Sequence, residues 1–503
     1  MTLGRIAAAL FLVLGCIAPI TGQLRPEEQA GKEIFRTGKS PSGGTIAARV
    51  AGEDAPVSAA ILPCAGCHGF DGLGRAEGGV TPPEITWEAL AHRRRPPYDQ
   101  QTLKRAVTLG IDPKGNAIGS VMPRYQMSLS DMASLLKYLR ILGTEIEPGV
   151  GDSEVRIGVL LPPGERLSEM RAAIRETLEA FAADTNQKGG LFGRRIVLVL
   201  QESEERGEQR AAGIASFVDQ QNLFALISSF LNGAEQRIAA LIAERQIPLI
   251  GALSLYTQTS REPNRYVFYL LAGLAEQGRA LAIAASRRLN GSPNLAIISS
   301  AGELPDMSAD SIEDQCKRLG WQAPERIRSS SPAAIAPALR DRRLDGVFVL
   351  DPGLLRGLLA VDSQLPSKPL YLVPASLAEM DPSDIPAEAR ERVLFSFPAL
   401  PSDNTPAGWS LFQKLMPDAA ASSRNVAARW AALSSASLLV SALKSSGRNL
   451  TRERVIAALE TMHRFDTGLL PPATFGPNRR VASIGAHVSS AANPAESVWI
   501  EPR

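Results

Sequence analysis

The sequence predicts a multidomain protein in which a small all-α domain is followed by an α/β domain. With 503 residues, the chain is longer than a single hydrophobic core usually supports, so two or three domains are expected. Residues 27–142 are rich in loops and show no convincing alternation of apolar and polar residues, which favours helices over strands. Beyond residue 153, short apolar runs alternate with amphipathic segments of helical length, the pattern of βαβ units with buried parallel strands.

Composition sets few limits on function. The chain is 45% hydrophobic and 21% charged, with a formal net charge of +2, as in ordinary globular proteins. So small a charge gives no general attraction to nucleic acid, and we expect no nucleic-acid partner. The function must therefore be inferred from particular sites.

The N-terminus has the pattern of a secretory signal peptide over residues 1–22. A short positive start, MTLGR, precedes the apolar run IAAALFLVLGCIAPI, and the polar TGQLRPEE follows; cleavage is expected near Gly22. The alternative is a lipoprotein signal acylated at Cys16, which is less favoured because Leu14 is bulky there and the apolar run continues past the cysteine. No later segment offers about 20 consecutive apolar residues, so no transmembrane segment is expected after signal removal.

Domain limits follow from the change in pattern. The all-α domain is placed at 23–143 and the α/β domain at 155–503. Between them, residues 144–154 are rich in glycine, proline and acidic residues, as exposed linkers are. The strands expected in the second domain are the apolar runs VRIGVLL, RRIVLVL, LFALISS, IPLIGAL, NLAIISS, DGVFVLD and KPLYLVP.

The stretch CAGCH brings Cys64, Cys67 and His68 together, and three kinds of site can be built on it. A structural zinc site needs four ligands, but the other histidines are scattered and only Cys316 remains outside the motif after signal removal. A thioredoxin-like redox motif needs a strand before it and a helix after it, and no helix of useful length follows. The spacing favours covalent attachment of one c-type haem through the two cysteines, with His68 as an axial ligand of the iron.

A second axial ligand is available in VMPRYQMSLSDMASLLKYLRIL. Met122 lies in a loop, and a helix is expected to begin near Ser128 or Ser130. Met127 and Met132 are alternatives, but they lie at the start of that helix and within it, where packing is the commoner role. A thioether ligand favours reduced iron and suits electron transfer. Peroxidase and oxidase chemistry requires open iron, so no enzyme activity is expected.

The sequences GKEIF, CAGCHG, and MPRY followed by LLKYL together resemble a monohaem cytochrome c with histidine and methionine ligands. The resemblance implies that Gly31 lets the last helix cross the first one closely, while Phe35 packs inward and Tyr138 lies at the crossing. It also implies that a backbone carbonyl in TPPEI, such as that of Pro82, accepts a hydrogen bond from the His68 ring.

Parts of the first domain fall outside this resemblance or have two interpretations. Residues 36–63 form a long insertion between the first helix and the haem motif. The stretch AHRRRPPYD, with His92 and three arginines, is either a solvated loop or a docking patch for an acidic redox partner. Trp87 is expected in the core rather than as a donor to a haem propionate.

The second domain opens with the strand VRIGVLLP, an amphipathic helix, and the stretch NQKGGLFGRRIVLVL. This order of strand, helix, Gly-Gly turn and strand resembles type I periplasmic binding proteins, the branched-chain amino-acid receptor family, over residues 155–500. The resemblance implies two lobes joined by crossovers near 266–272, 393–398 and 464–472, with a hinged crevice between the lobes.

Ligands of open parallel sheets bind beyond the carboxyl ends of the strands, which points to loops 228–233 and 252–256. In the family, such loops hold an amino acid through hydroxyls and backbone groups. Each polar residue here can also be explained by ordinary turn chemistry, and Cys316 is expected to be a buried apolar residue. The candidate contacts are Ser229, Asn232, Ser254 and Tyr256 from the first lobe, and Ser300 and Asp351 from the second.

These features together predict a periplasmic electron-transfer protein whose covalently bound haem exchanges single electrons with a redox partner protein. Its second domain would bind or sense a small solute, either an amino acid or a small organic acid or alcohol. The alternative is a substrate-binding receptor for an ABC-type importer that carries an accessory haem. The two hypotheses differ in whether solute affinity depends on the oxidation state of the haem.

Overall fold

The computed structural model describes residues 24–50, 55–74, 81–145, 147–204, 207–257, 261–329, 331–351, 354–375, 384–419 and 425–502. The predicted signal peptide over residues 1–22, its cleavage near Gly22 and the alternative acylation at Cys16 lie outside these residues. The chain divides into two compact units; unit 1 ends at Pro148 and unit 2 begins at Gly149.

Unit 1 is mainly helical, and its helices begin and end where the sequence offers caps. The Ser128 side chain accepts a hydrogen bond from the amide of Asp131 at the start of the last helix, and the first helix ends at Gly38, whose φ is 67°. A six-residue π-helix spans Glu88–Arg93. The α-helices are α1 (Pro26–Thr37), α2 (Cys64–His68), α3 (Gln100–Leu109) and α4 (Leu129–Leu139), and the strands are β1 (Ala47–Arg49), β2 (Val57–Ser58) and β3 (Arg124–Gln126).

The helices α1 and α4 cross closely at Gly31. A Cβ atom on Gly31 would lie 2.1 Å from the carbonyl oxygen of Ser134, so a larger residue does not fit. Phe35 and Tyr138 are fully buried at this crossing, with ring centroids 5.5 Å apart. The roles predicted for Gly31, Phe35 and Tyr138 are thereby confirmed.

The insertion at 36–63 contributes two strands to a small antiparallel sheet with the order β2-β1-β3. Ala48 pairs with Val57 on one side and with Tyr125 on the other. These strands are only two or three residues long, too short to produce a recognisable alternating pattern. The predicted helical class holds for the domain, and this sheet is an addition that the sequence pattern does not reveal.

Unit 2 is an α/β structure built on two sheets. Its strands are β4 (Glu154–Leu161), β5 (Arg195–Glu202), β6 (Ala225–Ile227), β7 (Leu249–Ile250), β8 (Val267–Phe268), β9 (Leu295–Ser299), β10 (Glu325–Arg328), β11 (Gly346–Val349), β12 (Leu370–Pro374), β13 (Val393–Phe397), β14 (Ala486–Ser490) and β15 (Asn493–Ile500). Its helices are α5 (Ser168–Gln187), α6 (Gly207–Gln220), α7 (Glu235–Arg245), α8 (Leu274–Ala285), α9 (Glu303–Arg318), α10 (Pro332–Arg340), α11 (Leu354–Val361), α12 (Pro406–Leu415), α13 (Val426–Ser445) and α14 (Arg452–Glu460).

The two sheets differ in strand direction. The first has five parallel strands in the order β5-β4-β6-β7-β8. The second has seven strands in the order β10-β9-β11-β12-β13-β14-β15, and its last two strands run antiparallel to their neighbours. The α/β class is confirmed, and the second sheet is mixed rather than purely parallel.

In its described part, the chain passes between the two sheets after β8, after β13, and again between α14 and β14. These crossovers are hydrogen-bonded to one another through the backbone. Tyr269 donates to the carbonyl of Arg480 and accepts from the amide of Ala482, each at 2.8 Å, and the Thr405 amide donates to the Gly468 carbonyl at 2.9 Å. The connections between the sheets therefore lie side by side.

The helix α13 is long and apolar enough to cross a membrane by length and composition, and no other helix in the described ranges is. Within its most apolar window, 67% of the residues are buried inside unit 2. It packs against α5 and the first sheet, as a helix that is apolar on most sides does in a protein core.

A buried polar cluster joins β12 and β13 in the second sheet. The Asp362 carboxylate accepts two hydrogen bonds from the Arg392 guanidinium, at 2.7 and 3.0 Å, and one from the Tyr371 hydroxyl at 2.9 Å. Burial alone would raise the pKa of Asp362, but these donors outweigh it and hold that pKa below its ordinary value.

We expect Gly31→Ala to weaken the crossing of α1 and α4 by about 1–3 kcal/mol, because an overpacked contact forces the two helices apart. Hydrogen exchange measured by mass spectrometry on the full-length protein should become faster in both helices. Gly44→Ala is the control, since a Cβ atom there would have no neighbour closer than 3.5 Å. Equal exchange in the two variants would contradict the close crossing.

We expect Asp362→Asn to lower the free energy of unfolding at pH 7 by roughly 2–4 kcal/mol, because Arg392 loses its charged partner. The folded-state pKa of Asp362 is lowered. The contribution of the Asp362 carboxylate to the free energy of unfolding is therefore present above the unfolded-state pKa of about 3.9. It is lost as the pH falls through the folded-state pKa.

Thermal unfolding of wild type and Asp362→Asn should thus differ at pH 7 and converge in acid. As a control, Asp306→Asn removes the more exposed pair with Arg328 and should cost less than about 1 kcal/mol. A difference between wild type and Asp362→Asn that stays constant with pH would refute this assignment.

Candidate functional site

The CAGCH motif forms α2, a short helix that begins after Pro63 and ends at Gly69. Gly69 has a φ of 73°, a conformation that glycine adopts at little cost. Cys64 is half-buried, Cys67 is exposed, and neither thiol is in a disulfide. One short helix thus presents two unpaired thiols and a histidine, the set of groups that attaches a c-type haem.

The His68 ring is buried, with 9% of its surface exposed. Its Nδ1 lies 3.1 Å from the carbonyl oxygen of Pro83. With the proton placed on Nδ1 for this bond, Nε2 keeps a lone pair for a metal. Burial lowers the pKa of His68, and the Pro83 carbonyl partly opposes that shift, so the neutral, ligating form is favoured.

The expectation that Pro82 supplies this carbonyl is wrong by one residue. The Pro82 carbonyl oxygen is packed against Gly74 instead, where a Cβ atom would lie only 2.2 Å from it. Because successive carbonyls of an extended chain point in different directions, the Pro83 carbonyl is the one that faces His68.

The three methionines near α4 lie in different surroundings. Met132 is buried in the core of unit 1, and Met127 packs against the margin of that core. Met122 is half-buried and is not part of that core cluster. It belongs to residues 118–123, which we call the methionine loop. Of the three sulfur atoms, only that of Met122 is not used for packing in this core.

Tyr125, just beyond the methionine loop, connects it to the haem motif. Its hydroxyl donates a hydrogen bond to the Leu62 carbonyl at 2.8 Å, two residues before Cys64, and also lies in hydrogen-bonding contact with the Cys64 thiol. Burial raises the pKa of Tyr125, so the hydroxyl keeps its proton and remains a donor. The segment that follows Met122 is thereby brought to the segment that leads into α2.

Apolar side chains next to these groups are exposed. Ile61, Val121 and Leu73 are 71%, 59% and 42% exposed, and each is close in sequence to the haem motif or to Met122. Exposed apolar side chains on both sides of the motif offer surface for a ligand or partner to cover. The residues present therefore fit a haem: two thiols, an imidazole, a thioether and an apolar margin.

The basic stretch AHRRRPPYD is largely engaged within unit 1. Arg93 forms an ion pair with Glu84, which lowers the pKa of that carboxyl. The Arg95 guanidinium donates to two carbonyls of its own stretch, at 2.7 and 2.8 Å. Trp87 packs partly buried against the core, with the Arg140 guanidinium 5.6 Å from its ring centroid.

In unit 2, the loops after β6 and β7 continue the parallel pairing of those strands. The Leu253 amide donates to the Ser229 carbonyl at 2.9 Å, and the Leu231 amide donates to the Leu253 carbonyl at 3.0 Å. The Ser229 side chain is fully buried; its hydroxyl accepts from the Leu160 amide at 3.2 Å and donates to the Ile227 carbonyl at 3.1 Å. The hydroxyl of Ser229 is therefore used inside the fold.

Asn232 and Ser254 also serve their own loops. The side-chain oxygen of Asn232 accepts from the Leu255 amide at 2.9 Å, which ties the two loops together. The Ser254 hydroxyl accepts from the Tyr256 amide at 2.9 Å and donates to its carbonyl at 3.0 Å. These are the turn interactions that the sequence offered as the alternative explanation.

Tyr256 and Asp351 are brought within electrostatic range of each other from different sheets. Tyr256 follows β7 and is half-buried, whereas Asp351 follows β11. Burial raises the pKa of Tyr256 to about 12, with further contributions from the carboxylates of Glu235 and Asp351. Ser300 is half-buried just after β9, also at a carboxyl end of the second sheet.

Sequence reasoning missed Arg210 on α6, which is buried beneath the first loop. Its guanidinium donates to the carbonyls of Asn232, at 2.7 Å, and Phe230, at 3.0 Å. Burial lowers the pKa of Arg210, and the nearby carboxylate of Glu235 opposes this. An arginine in an amphipathic helix is normally expected at the surface, so the sequence carries no signal for this role.

A cavity of about 210 Å³ lies elsewhere in unit 2, beside β8 and residues 478–484. None of the six predicted solute contacts lines it. The cavity therefore does not coincide with the crevice inferred from the strand ends.

Comparison with known proteins identifies both regions. The sequence profile of the cytochrome c family matches residues 59–143, and that of the periplasmic binding proteins matches residues 154–487. No curated protein sequence matches the chain.

Solved structures similar to this chain are periplasmic binding proteins. A fatty acid ABC transporter substrate-binding protein from Thermomonospora curvata is 17% identical, with 71% of this chain and 93% of that one covered and a TM-score of 0.55. A branched-chain amino acid ABC transporter protein from Thermus thermophilus with bound valine is 17% identical, with coverage of 70% and 97% and a TM-score of 0.56. A leucine-binding protein from Thermotoga maritima is 18% identical, with coverage of 69% and 99% and a TM-score of 0.54.

At these identities the structural likeness shows the fold, whereas the profile match to residues 154–487 spans more than half of the chain. Together with the geometry of α2, these findings place a cytochrome c domain ahead of a type I binding fold. The chain therefore belongs to the periplasmic binding protein family and carries an N-terminal cytochrome c domain.

Proposed function

We propose that this protein is a periplasmic electron-transfer cytochrome whose binding domain senses or docks a small solute. The observation that carries the proposal is that CAGCH forms α2 while Met122, a second possible ligand, is not part of the core cluster of unit 1. The match to the cytochrome c family, which implies a covalently bound haem, supports it.

One haem would be held by Cys64 and Cys67 as thioethers, with His68 and Met122 as axial ligands of the iron. When bound, the haem supplies a one-electron couple between ferric and ferrous iron. The chain contributes the rest: the Pro83 carbonyl orients the His68 ring, burial keeps the imidazole neutral, and the methionine sulfur favours the reduced state. With both axial positions taken, electron transfer is favoured over peroxidase or oxidase chemistry.

The proposal includes export through the N-terminal signal peptide and a redox partner protein in the periplasm. Both families matched by this chain are typical of that compartment. The predicted partner patch at AHRRRPPYD is less favoured, because Arg93 and Arg95 are engaged within unit 1.

For the binding domain we propose a small organic solute: an amino acid, an organic acid or an alcohol. Of the structural neighbours, one contains bound valine, one is a leucine-binding protein, and one is the substrate-binding protein of a fatty acid transporter. Among the predicted contacts we favour Tyr256, Ser300 and Asp351, which lie at strand ends of both sheets. Ser229 and Ser254 are less favoured because their hydroxyls bond to their own backbone surroundings.

The second candidate function is a substrate-binding receptor for an ABC-type importer, with an accessory haem. It is favoured by one observation, the similarity to binding proteins of ABC transporters over about 70% of the chain. In that case solute affinity is independent of the haem's oxidation state. In a sensing cytochrome, the reduction potential shifts when solute binds.

Met122→Ala should abolish the weak far-red sulfur-to-iron band in the absorption spectrum of the oxidised protein, because the thioether ligand is lost. Met127→Ala is the matched control and should keep the band, since Met127 packs against the core. Loss of the band in Met127→Ala and its retention in Met122→Ala would assign the ligand to the other sulfur.

A solute should be found by thermal unfolding of the full-length protein against amino acids, organic acids and alcohols. At about 100 times its dissociation constant, a true ligand adds about 2.7 kcal/mol to the stability of unit 2. Tyr256→Phe and Asp351→Asn should weaken this effect, and Ser254→Ala should leave it nearly unchanged.

With that solute in hand, potentiometric titration separates the two functions. A reduction potential that moves on saturation supports sensing, and identical potentials with and without solute would support the importer receptor. The absence of any stabilising solute across the panel would count against both.

A further inference from the structure

The insertion at 36–63 is attached to the segment that follows Met122. Its strand β1 pairs with β3, and Ala48 lies opposite Tyr125 in the register. Because β3 begins two residues after Met122, this pairing fixes the chain at one end of the methionine loop.

A second attachment lies at the start of α4, beyond β3. The carboxylate of Asp131 is buried and accepts hydrogen bonds from hydroxyls of the insertion: Ser40 at 2.9 Å and Ser42 at 3.4 Å. It also accepts from Ser128 at 2.8 Å. The insertion is thus bound on both sides of the segment that joins the methionine loop to α4.

Arg124 holds the methionine loop itself. Its guanidinium donates to the carbonyl of Met122 and, at 2.7 Å, to the carbonyl of Ile118, which lie at opposite ends of the loop. The side chain crosses Gly110, where a Cβ atom would lie 1.8 Å from the Arg124 Nε. One planar cation therefore closes the loop across its base, and a glycine at the end of α3 makes room for it.

Tyr125 completes the arrangement by bonding to the Leu62 carbonyl, just ahead of the haem motif. Its ring is buried in the core of unit 1. The chain on one side of the proposed haem site is thereby tied to the chain on the other side.

We propose that Arg124 and Tyr125 are positioning residues that, together with the insertion, hold the methionine loop closed and keep the Met122 sulfur at the iron. This inference rests on the proposed function, in which Met122 is an axial ligand. It gives the insertion a role: the insertion braces the loop that carries the weaker of the two axial ligands.

The proposal has a measurable consequence. A competing ligand reaches the iron only when the loop opens, so its apparent affinity rises with the fraction of open loop. Loss of hydrogen bonds from a charged group shifts such an equilibrium by about tenfold or more. Weakening the brace should therefore make the ferric protein easier to saturate with an external ligand.

The experiment is a titration of the oxidised full-length protein with imidazole at fixed pH, followed by the disappearance of the far-red sulfur-to-iron band. For Arg124→Met, the half-saturating imidazole concentration should fall about tenfold or more relative to wild type. The half-saturating concentration for Arg124→Lys should lie between those of Arg124→Met and wild type, because an ammonium group cannot bridge two carbonyls as a planar guanidinium does. The half-saturating concentration for Tyr125→Phe should also be lower than that of wild type.

The matched control is Arg95→Met. Arg95 makes the same kind of contact, from a guanidinium to two backbone carbonyls, but not with the methionine loop. Its half-saturating concentration should equal that of wild type. If Arg124→Met does not acquire haem, Arg124→Lys and Tyr125→Phe still decide the question, since both keep most of the original side chain.

If the Arg124 variants and Tyr125→Phe bind imidazole as wild type does, Arg124 and Tyr125 do not hold the methionine loop closed, and the proposal is wrong. That result is distinguishable from failure of the proposed function. If Met122→Ala keeps the far-red band, Met122 is not the ligand, and this inference falls with it.

Discussion

Unit 1 depends on the close approach of α1 and α4 at Gly31. Because no side chain fits there, the two helix backbones approach directly, while α4 begins at the Ser128 cap and the chain leaves α1 at Gly38. Gly38 is itself confined, since a Cβ atom would lie 2.0 Å from the carbonyl oxygen of Ala59. The insertion therefore folds back as soon as it begins, and its serines reach Asp131. The insertion thereby contacts α4 through Asp131 and pairs with β3, which follows the methionine loop.

Much of the fold could be predicted because periodicity reports burial. The apolar runs from VRIGVLL to KPLYLVP all contain strands of the two sheets. Gly31 and Tyr138 lie at the helix crossing, as the resemblance to a cytochrome c implies. The strand β10 escaped prediction because it is a polar edge. The Arg326 guanidinium donates hydrogen bonds to the carboxylates of Asp310 and Glu313 on α9, each at 2.5 Å. With such charged residues, the segment lacks the apolar run by which the other strands were recognised.

The residue types of the candidate site could be predicted from the sequence, but the hydrogen-bond partners of those residues could be predicted less well. CAGCH identifies its chemistry by spacing alone, but the carbonyl that orients His68 depends on how Pro82 packs against Gly74. Likewise, Ser229 stands at the expected place and bonds inward. Such details depend on contacts between segments far apart in the chain, and a local pattern does not contain them.

The hydrogen bonds between crossovers in unit 2 bear on how its two lobes can move. If each connection were independent, every one could twist by its own amount, and the lobes could slide, tilt and rotate. Bonds such as Thr405 to Gly468 and Tyr269 to Arg480 oblige neighbouring connections to turn together. Coupled connections of this kind favour a common hinge rotation of the two halves of unit 2 over independent twisting of each connection.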